Sequence, residues 1–366
     1  MNTDTPREKI RFAVIGAGNI GPVHARALLE LGDSADLVAI ADEVPERAAD
    51  LAARAREWGG HPRATSDVSA LLASDQIDAV CVCVPSGMHA DVAVAALHAG
   101  KHVVVEKPIE VSLEGADRIM AAEAASGRTV TVVSQHRFDP STEKVLASVR
   151  AGRLGTITSI IASHAWWRGQ SYYDSGEWRG TWALDGGGAT MNQTVHTINL
   201  LLALAGTPVE VFAYTARLAH ERIEVEDTAV AVVKFESGAL GMIHATTAAY
   251  PGLDARLSVY GSKGSAVISD DGLVYFHETV GDAAEIAMSA GTSGNQVTDD
   301  DRPGPTAGGL GTAHRAQLAD FIDAVRSGHP PRVTTAEART TLAVILAMYE
   351  SARTHQPIAI TANRQG

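Results

Sequence analysis

The stretch Arg11-Phe12-Ala13-Val14-Ile15-Gly16-Ala17-Gly18-Asn19-Ile20-Gly21 runs an apolar strand straight into a glycine turn and the start of a helix. A G-x-G-x-x-G spacing alone is weak, because glycines fall into it by chance and methyltransferases use similar turns. The context strengthens it. Gly16 stands where the strand ends and can make the tight turn, Gly18 leaves room for a pyrophosphate, and Gly21 lets helix and strand pack closely. The N–H groups near Asn19 and Ile20 then face phosphate charge at a helix N-terminus, with the helix dipole in support. A doubly wound dinucleotide-binding domain is the expected fold.

Outward from this turn, short apolar runs alternate with Ala-rich amphipathic stretches, the pattern of a parallel sheet covered by helices. Strands are expected over Arg11–Gly16, Leu37–Asp42, Ala79–Pro85, His102–Glu106 and Val130–Ser134, and helices over Ile20–Leu31, Pro45–Glu57, His89–His98 and Leu113–Ala125. Residues 1–136 make up this Rossmann domain. After Arg137 the texture changes. A helix to Arg150 leads to a strand Ile157–Ala165, a loop to Gly188, a helix Met191–Leu204, and β-branched-rich runs at Glu210–Ala219, Thr228–Phe235, Ala239–Ala248, Ala255–Tyr260 and Ser265–Ser269. These predict a second α/β domain, residues 137–366, on one large, mostly antiparallel open sheet. Helices over His314–Arg326 and Ala336–Thr354 close it. Gly281–Gly311, rich in Gly, Ser, Thr, Asp and Pro, reads as a flexible loop, either a lid or a tolerated insertion.

A length of 366 residues agrees with two domains, and a net charge of −13 repels nucleic acid and anionic lipid. The N-terminal segment lacks the apolar core of a signal peptide and no run is suited to a bilayer, so a cytoplasmic protein is expected. Cys81 and Cys83 read as buried reduced thiols, since they lack C-x-x-C spacing. His220, His244, His277 and His314 are dispersed, so no metal is expected. No G-x-S-x-G elbow is present, which disfavours acyl transfer.

The strand ending at Asp42 places a carboxylate where adenosine ribose hydroxyls are met. NAD is favoured over NADP, whose 2′-phosphate would face Asp42 and Glu43, although Arg47 one turn later leaves NADP or dual use open. The plainer role for Asp42 is a cap on the next helix. Farther on, Glu106-Lys107-Pro108 puts a lysine at the carboxyl end of a sheet strand, the edge where open α/β sheets bind ligands. There it can hydrogen-bond a substrate hydroxyl, unless it is simply a surface lysine that ends a strand.

At Glu106-Lys107-Pro108 the chain begins to resemble the Gfo/Idh/MocA family of NAD(P)-dependent sugar and cyclitol oxidoreductases. The resemblance runs through Gly16–Gly21, Pro85 with His89, Arg137, the stretch Trp178–Asn192 leading to His196, and the closing His314–Ser351 helices. It implies a second-domain sheet beside the nicotinamide, with a lysine and a histidine flanking the substrate carbon, by position Lys107 and His196. His196 would take the hydroxyl proton, its ordinary pKa of about 6.5 suiting exchange near neutrality. Lys107 would orient the hydroxyl and steady alkoxide charge. The cofactor would lie against Gly16, Gly18, Asn19, Ile20, Gly21, Asp42, Pro85, Ser86, His89, Glu106, Lys107, Gln135, Trp178 and Arg179. Substrate contacts would come from Lys107, Arg137, Trp167, Asn192 and His196.

Two positions depart from the family pattern. Many members carry aspartate four residues before the histidine, where this chain has Asn192, which donates a hydrogen bond but accepts no proton. A carboxylate-assisted relay is therefore not expected, and Asn192 would hold a substrate hydroxyl or the nicotinamide ribose. Ser86 stands where asparagine is usual. On an α-helix the four-residue spacing sets Asn192 and His196 on one face; a lone helical histidine is otherwise more often structural. The loop holding Trp166, Trp167, Tyr172, Tyr173, Trp178, Arg179 and Trp182 suits a carbohydrate or packs on the sheet. Gln135, His136 and Arg137 point to the cleft or cap a helix, and His314 reaches the substrate or begins a helix.

The reading is a homo-oligomeric (dimer or tetramer) NAD-dependent dehydrogenase of a ring hydroxyl on a sugar, sugar derivative or inositol. Its alternatives are a non-catalytic dinucleotide-binding regulator, an NADP-dependent keto-sugar reductase and, weakest, a methyltransferase.

Overall fold

The computed structural model describes residues 9–278 and 310–360. They fall into two compact units, residues 9–135 with 310–339, and residues 136–278 with 340–360. Of the loop expected over Gly281–Gly311, residues 281–309 lie outside the described residues, while Leu310 and Gly311 already belong to a helix. Among the described residues no helix is long and apolar enough to cross a membrane.

The first unit alternates β1 (Ile10–Ile15), α1 (Gly21–Glu30), β2 (Ala35–Ala41), α2 (Pro45–Glu57), β3 (Arg63–Thr65), α3 (Val68–Ala73), β4 (Ala79–Val82), α4 (His89–His98), β5 (His102–Val105), α5 (Leu113–Ser126) and β6 (Val130–Val132). Its strands form one parallel 6-stranded sheet in the order β3-β2-β1-β4-β5-β6. Phe12, Ala13, Val14, Val80 and Cys81 are fully buried, as strands covered on both faces must be. The order reverses between β1 and β4, and the crevice at their carboxyl ends is where such sheets take ligands. β3 and α3, only three and six residues long, carry too little periodicity to read in advance.

α9 (Leu310–Ser327) belongs to this unit, not to the second domain where the sequence reading put every residue beyond 136. The reason is its apolar stripe. Leu318, Phe321 and Ile322, at helical spacing, join the core around β1, with the Phe321 ring centroid 6.1 Å from that of Phe12. Gln317 on the same helix completes the sheet edge. Its carbonyl accepts the Ser134 N–H at 2.9 Å and its amide donates to Val132 O at 2.8 Å, as a neighbouring strand would.

The second unit contains α6 (Pro140–Arg150), β7 (Ile157–Ala165), α7 (Gln170–Tyr173), α8 (Val195–Ala205), β8 (Pro208–Ala216), β9 (Thr228–Phe235), β10 (Leu240–Thr246), β11 (Ala255–Gly261), β12 (Gly264–Ser269), β13 (Gly272–Glu278), most of α10 (Thr335–Thr354) and β14 (Ile358–Ala359). The 8-stranded sheet runs β13-β12-β11-β7-β10-β9-β8-β14, antiparallel except for β7 with β10. Strict alternation of buried and exposed residues along β9 shows that one face carries the core. α8 packs on that face across β7 and β11, with Ile198 and Leu201 fully buried. β13 and β14 were not expected: β13 is weakly one-sided and β14 has two residues.

Because Phe321 is fully buried against Phe12, Phe321→Ala should lower the unfolding free energy by about 3–5 kcal/mol. Urea denaturation reads this directly, and an unchanged midpoint would remove α9 from the first core.

Candidate active site

The glycine turn is shaped by contact. Gly16 adopts φ +104°, and a side chain there would collide with the Cys83 carbonyl at the end of β4. A side chain at Gly21 would collide with the Gly16 carbonyl, so the third glycine brings α1 onto the turn itself. Gly18 has open space around it and is exposed together with Asn19. That is the opening a pyrophosphate needs. Asp42 follows β2 and is buried, its Oδ2 accepting the Ala17 N–H at 2.7 Å and its Oδ1 the Val44 N–H at 2.9 Å. It does not cap α2, whose N-cap is Val44. The carboxylate thus ties the glycine turn to the end of β2, where ribose hydroxyls would exchange with these donors, and the cradle fits a dinucleotide. Cys81 and Cys83 are free and buried, and burial pushes both thiols up, as expected of inert residues.

Lys107 follows β5, half-buried, at the same carboxyl edge. Its two flanking residues are anchored. Glu106 is buried, with Oε1 2.6 Å from His24 Nε2 and Oε2 accepting the Lys107 N–H at 3.1 Å. Burial alone would raise its pKa, but the hydrogen bonds and charge of His24 and His314 outweigh it and hold the carboxyl well below the usual range. His314 therefore neither begins α9, which starts four residues earlier, nor stands free for substrate: its Nε2 lies 3.7 Å from Glu106 and its ring packs edge-on to His24. His89, also expected at the cofactor, is buried with Nδ1 2.8 Å from Pro108 O and Nε2 3.0 Å from Val84 O, and burial lowers its pKa. Glu106 and His89 thus spend their side chains on holding the Lys107 turn. Pro85 and Ser86 open the short turn into α4, and Gln135 is buried where β6 gives way to the next helical turn.

In the second unit, Gly186-Gly187-Gly188 enters a π-helical turn, Ala189–Thr194, that precedes α8. Side chains at Gly187 and Gly188 would collide with the Tyr349 hydroxyl and the Glu226 carbonyl. Glu226, buried, accepts the Gly188 and Thr190 N–H groups at 2.9 and 2.8 Å and the Tyr349 hydroxyl at 3.1 Å, and burial raises its pKa. The expected continuous helix over Met191–Leu204 is thereby split. Asn192 lies in the π-turn and His196 in α8, so the α-helical spacing assumed for the pair does not apply. Asn192 donates to the buried Asp185 carboxylate, which also accepts the Gly180 N–H at 2.8 Å. A carboxylate that is missing from the helix is supplied by the loop.

His196, half-buried, packs edge-to-face on His136, with ring centroids 5.3 Å apart. His136 Nδ1 lies 2.8 Å from Asp139 and 2.9 Å from Asp271. Burial would lower the His136 pKa, but these two carboxylates outweigh it and raise it to about 9. Burial holds Asp139 above its ordinary value, while His136 holds Asp271 below its own. Asp270 and Asp271, at φ 43° and 67°, form the two-residue turn between β12 and β13 that delivers the second carboxylate. Among the described residues two triads of possible metal ligands thus assemble, His24-Glu106-His314 and His136-Asp139-Asp271, which spacing along the chain did not reveal. The His24–Glu106, His136–Asp139 and His136–Asp271 contacts are shorter than the roughly 3.3 Å between ligands on one zinc ion, whereas His314 lies 3.7 Å from Glu106.

The aromatic loop divides. Trp167 packs edge-on to Tyr250, with ring centroids 5.4 Å apart, and lies 6.0 Å from the His220 ring. Its neighbours Trp166 and Arg168 turn the other way. The Arg168 guanidinium lies 4.9 Å from both the Trp166 and Tyr172 rings and donates to Gln193 Oε1 at 2.9 Å. Arg179 stacks between Tyr172 and Trp178 at 4.4 and 4.5 Å. Gln193 donates to Asn192 Oδ1 at 2.9 Å. Arg137 is buried, with its guanidinium 3.4 Å from Asn199 on α8. Arg168, Gln193 and Asp185 escaped the sequence reading. The alternation of an extended Trp166-Trp167-Arg168 was the available signal.

Residues 10–134 match a family model described as an oxidoreductase family with an NAD-binding Rossmann fold, and residues 142–267 match one described as a GFO/IDH/MocA C-terminal domain. The chain is 31% identical over 259 residues to a myo-inositol 2-dehydrogenase of Thermotoga maritima, covering 70% of this chain and 74% of that protein. It is 27% identical over 360 residues to the NAD(+)-dependent scyllo-inositol 2-dehydrogenase of Bacillus subtilis, covering 97% and 98%. Among solved structures, the WlbA dehydrogenase of Bordetella pertussis in complex with NADH and UDP-GlcNAcA superposes with a TM-score of 0.82 at 32% identity, over 97% of this chain and 99% of that one.

The raised pKa of His136 ties stability to pH. Its contribution is complete below the unfolded value of about 6.5 and is lost as pH rises through about 9, an upper limit of about 3 kcal/mol. Urea unfolding between pH 6 and pH 10 should show this fall, and Asp271→Asn should flatten it. A wild-type profile no steeper than that of the variant refutes the cluster's role.

Proposed function

The chain belongs to the Gfo/Idh/MocA oxidoreductase family, whose NAD-binding fold and dehydrogenase chemistry it shares, and from that premise we propose that it oxidises a ring hydroxyl of a sugar, sugar derivative or inositol. The observation that carries this reading is that one parallel sheet offers, at its carboxyl edge, both an open dinucleotide cradle at Gly18 and the anchored lysine Lys107. Inositol and sugar dehydrogenases among its relatives support the substrate class.

NAD, when bound, accepts the hydride that leaves the hydroxyl-bearing carbon. Lys107 Nζ orients the hydroxyl and stabilises the developing alkoxide. His196 takes the hydroxyl proton, its ring held edge-on against that of His136. Asn192, steadied by Asp185, holds a substrate hydroxyl or the nicotinamide ribose. Gly16, Gly18, Asn19, Ile20 and Gly21 cradle the phosphates, Asp42 takes the adenosine ribose and selects NAD over NADP, and Trp178 and Arg179 complete the cofactor contacts.

We also infer a homo-oligomer. Tyr214, Val230, Val232, Leu240 and Met242, which are 62, 46, 56, 61 and 38% exposed, stand on one face of neighbouring strands β8, β9 and β10. So contiguous an apolar row on a sheet face is suited to burial against a second copy. Light scattering should give a dimer or tetramer, and Val232→Lys should lower the mass; a monomeric wild type overturns the inference.

Turnover is read as NADH absorbance with a panel of pyranoses and inositols. Lys107→Ala and His196→Ala should each lower kcat by about 100-fold or more while NADH affinity changes little. Near-normal turnover in either variant removes that residue from the mechanism, and NADH binding without turnover on any member favours a regulator.

A further inference from the structure

Resting on the reading of the chain as a sugar dehydrogenase, we propose that its substrate is an anionic sugar, whose carboxylate or phosphate is received by Arg168 together with the Tyr172 hydroxyl.

Hydrogen-bond accounting around Tyr172 leaves donors over. The buried Arg168 Nε–H meets no acceptor, and neither Arg168 nor Arg179 has a carboxylate within ion-pair reach among the described residues. The Tyr172 hydroxyl oxygen accepts from Arg179 at 2.7 Å and from Gln193 at 3.0 Å, which occupies both of its lone pairs. Its own proton is therefore directed at a third acceptor. Asp185 is already engaged by Gly180 and Asn192. Two guanidinium groups flank one tyrosine ring at 4.9 and 4.4 Å with no anion between them. Packing the loop needs no such charge, and the buried Arg168 Nε–H without an acceptor is costly.

An oxyanion satisfies all of these groups at once. The planar fork of an arginine suits carboxylate and phosphate, and charge-assisted hydrogen bonds are about twice as strong as neutral ones. A neutral polyol offers only hydroxyls and leaves the charge unmatched. The donors also stand where a substrate is needed: Arg168 reaches Gln193, Gln193 reaches Asn192, and the same π-turn leads into α8 at His196. Arg168 is thus a specificity-determining residue.

The test uses the full chain with saturating NADH and measures binding by calorimetry for matched ligands: glucose, glucuronate and UDP-glucose, then galactose, galacturonate and UDP-galactose. At least one anionic member of a set should bind about tenfold or more tighter than its neutral counterpart, and added salt should shrink the difference. Arg168→Gln should abolish the preference, and Tyr172→Phe, which keeps the ring, should reduce it several-fold. A preference for the uronates identifies a carboxylate, and one for the nucleotide sugars a phosphate. Equal affinities within each set, absence of binding by every ligand, or a loss confined to NADH in Arg168→Gln overturns the proposal, the last because the anion would then belong to the cofactor. Preferential binding of the acids, lost in Arg168→Gln, with no NAD reduction by any of them would instead sink the dehydrogenase reading and leave only the recognition of an anionic sugar at Arg168.

Discussion

Where β1 meets β4, the backbone at Gly16 passes so close to the Cys83 carbonyl that no side chain fits between them. Much of the first unit depends on that approach. It turns the chain at the point where the strand order reverses, opens the crevice at the carboxyl edge, and starts α1 close enough for Gly21 to touch the turn it follows. Asp42 then holds the turn from β2, and the Glu106-Lys107 turn opens on the same edge from β5. A cradle and the lysine after β5 share one edge because parallel strands present all their carboxyl ends together.

The second unit solves a different problem, which is to hold carboxylates in its interior. Glu226 draws three donors onto one carboxylate, and the glycine run lets the chain come close enough to supply two of them. The π-turn that follows aims Asn192 at Asp185 and passes into α8 at His196. His136 is held cationic by two aspartates drawn from α6's N-terminal end and from a hairpin turn. Buried carboxylates here organise backbone and orient rings rather than simply adding stability, in keeping with the near balance between desolvation and pairing.

What could be read in advance was whatever depends on neighbours along the chain. The glycine turn, the carboxylate ending β2, the lysine after β5 and most strands of both sheets have signatures a few residues long. The alternation of β9 and the length of α2 matched their expected bounds. What could not be read joins distant segments. His24 meets Glu106 across 82 positions, and no spacing rule couples them. The split of the helix before His196 follows from Glu226 and Tyr349, neither adjacent to it. Aromatic richness marked the Trp166–Trp182 loop without revealing its sides, on which Trp167 meets Tyr250 while Arg168 lies against Trp166 and Tyr172.

The placement of α9 has a consequence for biosynthesis. The first core is completed by Phe321, and the sheet edge by Gln317, both encoded after strands β7 to β13 of the second unit. At roughly 5–20 residues per second, a ribosome needs on the order of 10–40 s to travel from the end of β6 to α9. Throughout that interval the nascent parallel sheet has an open edge at β6 and an uncovered patch beside Phe12. Most of the second unit thus lies between the two parts of the first, and the nucleotide fold becomes whole only once α9 has been made.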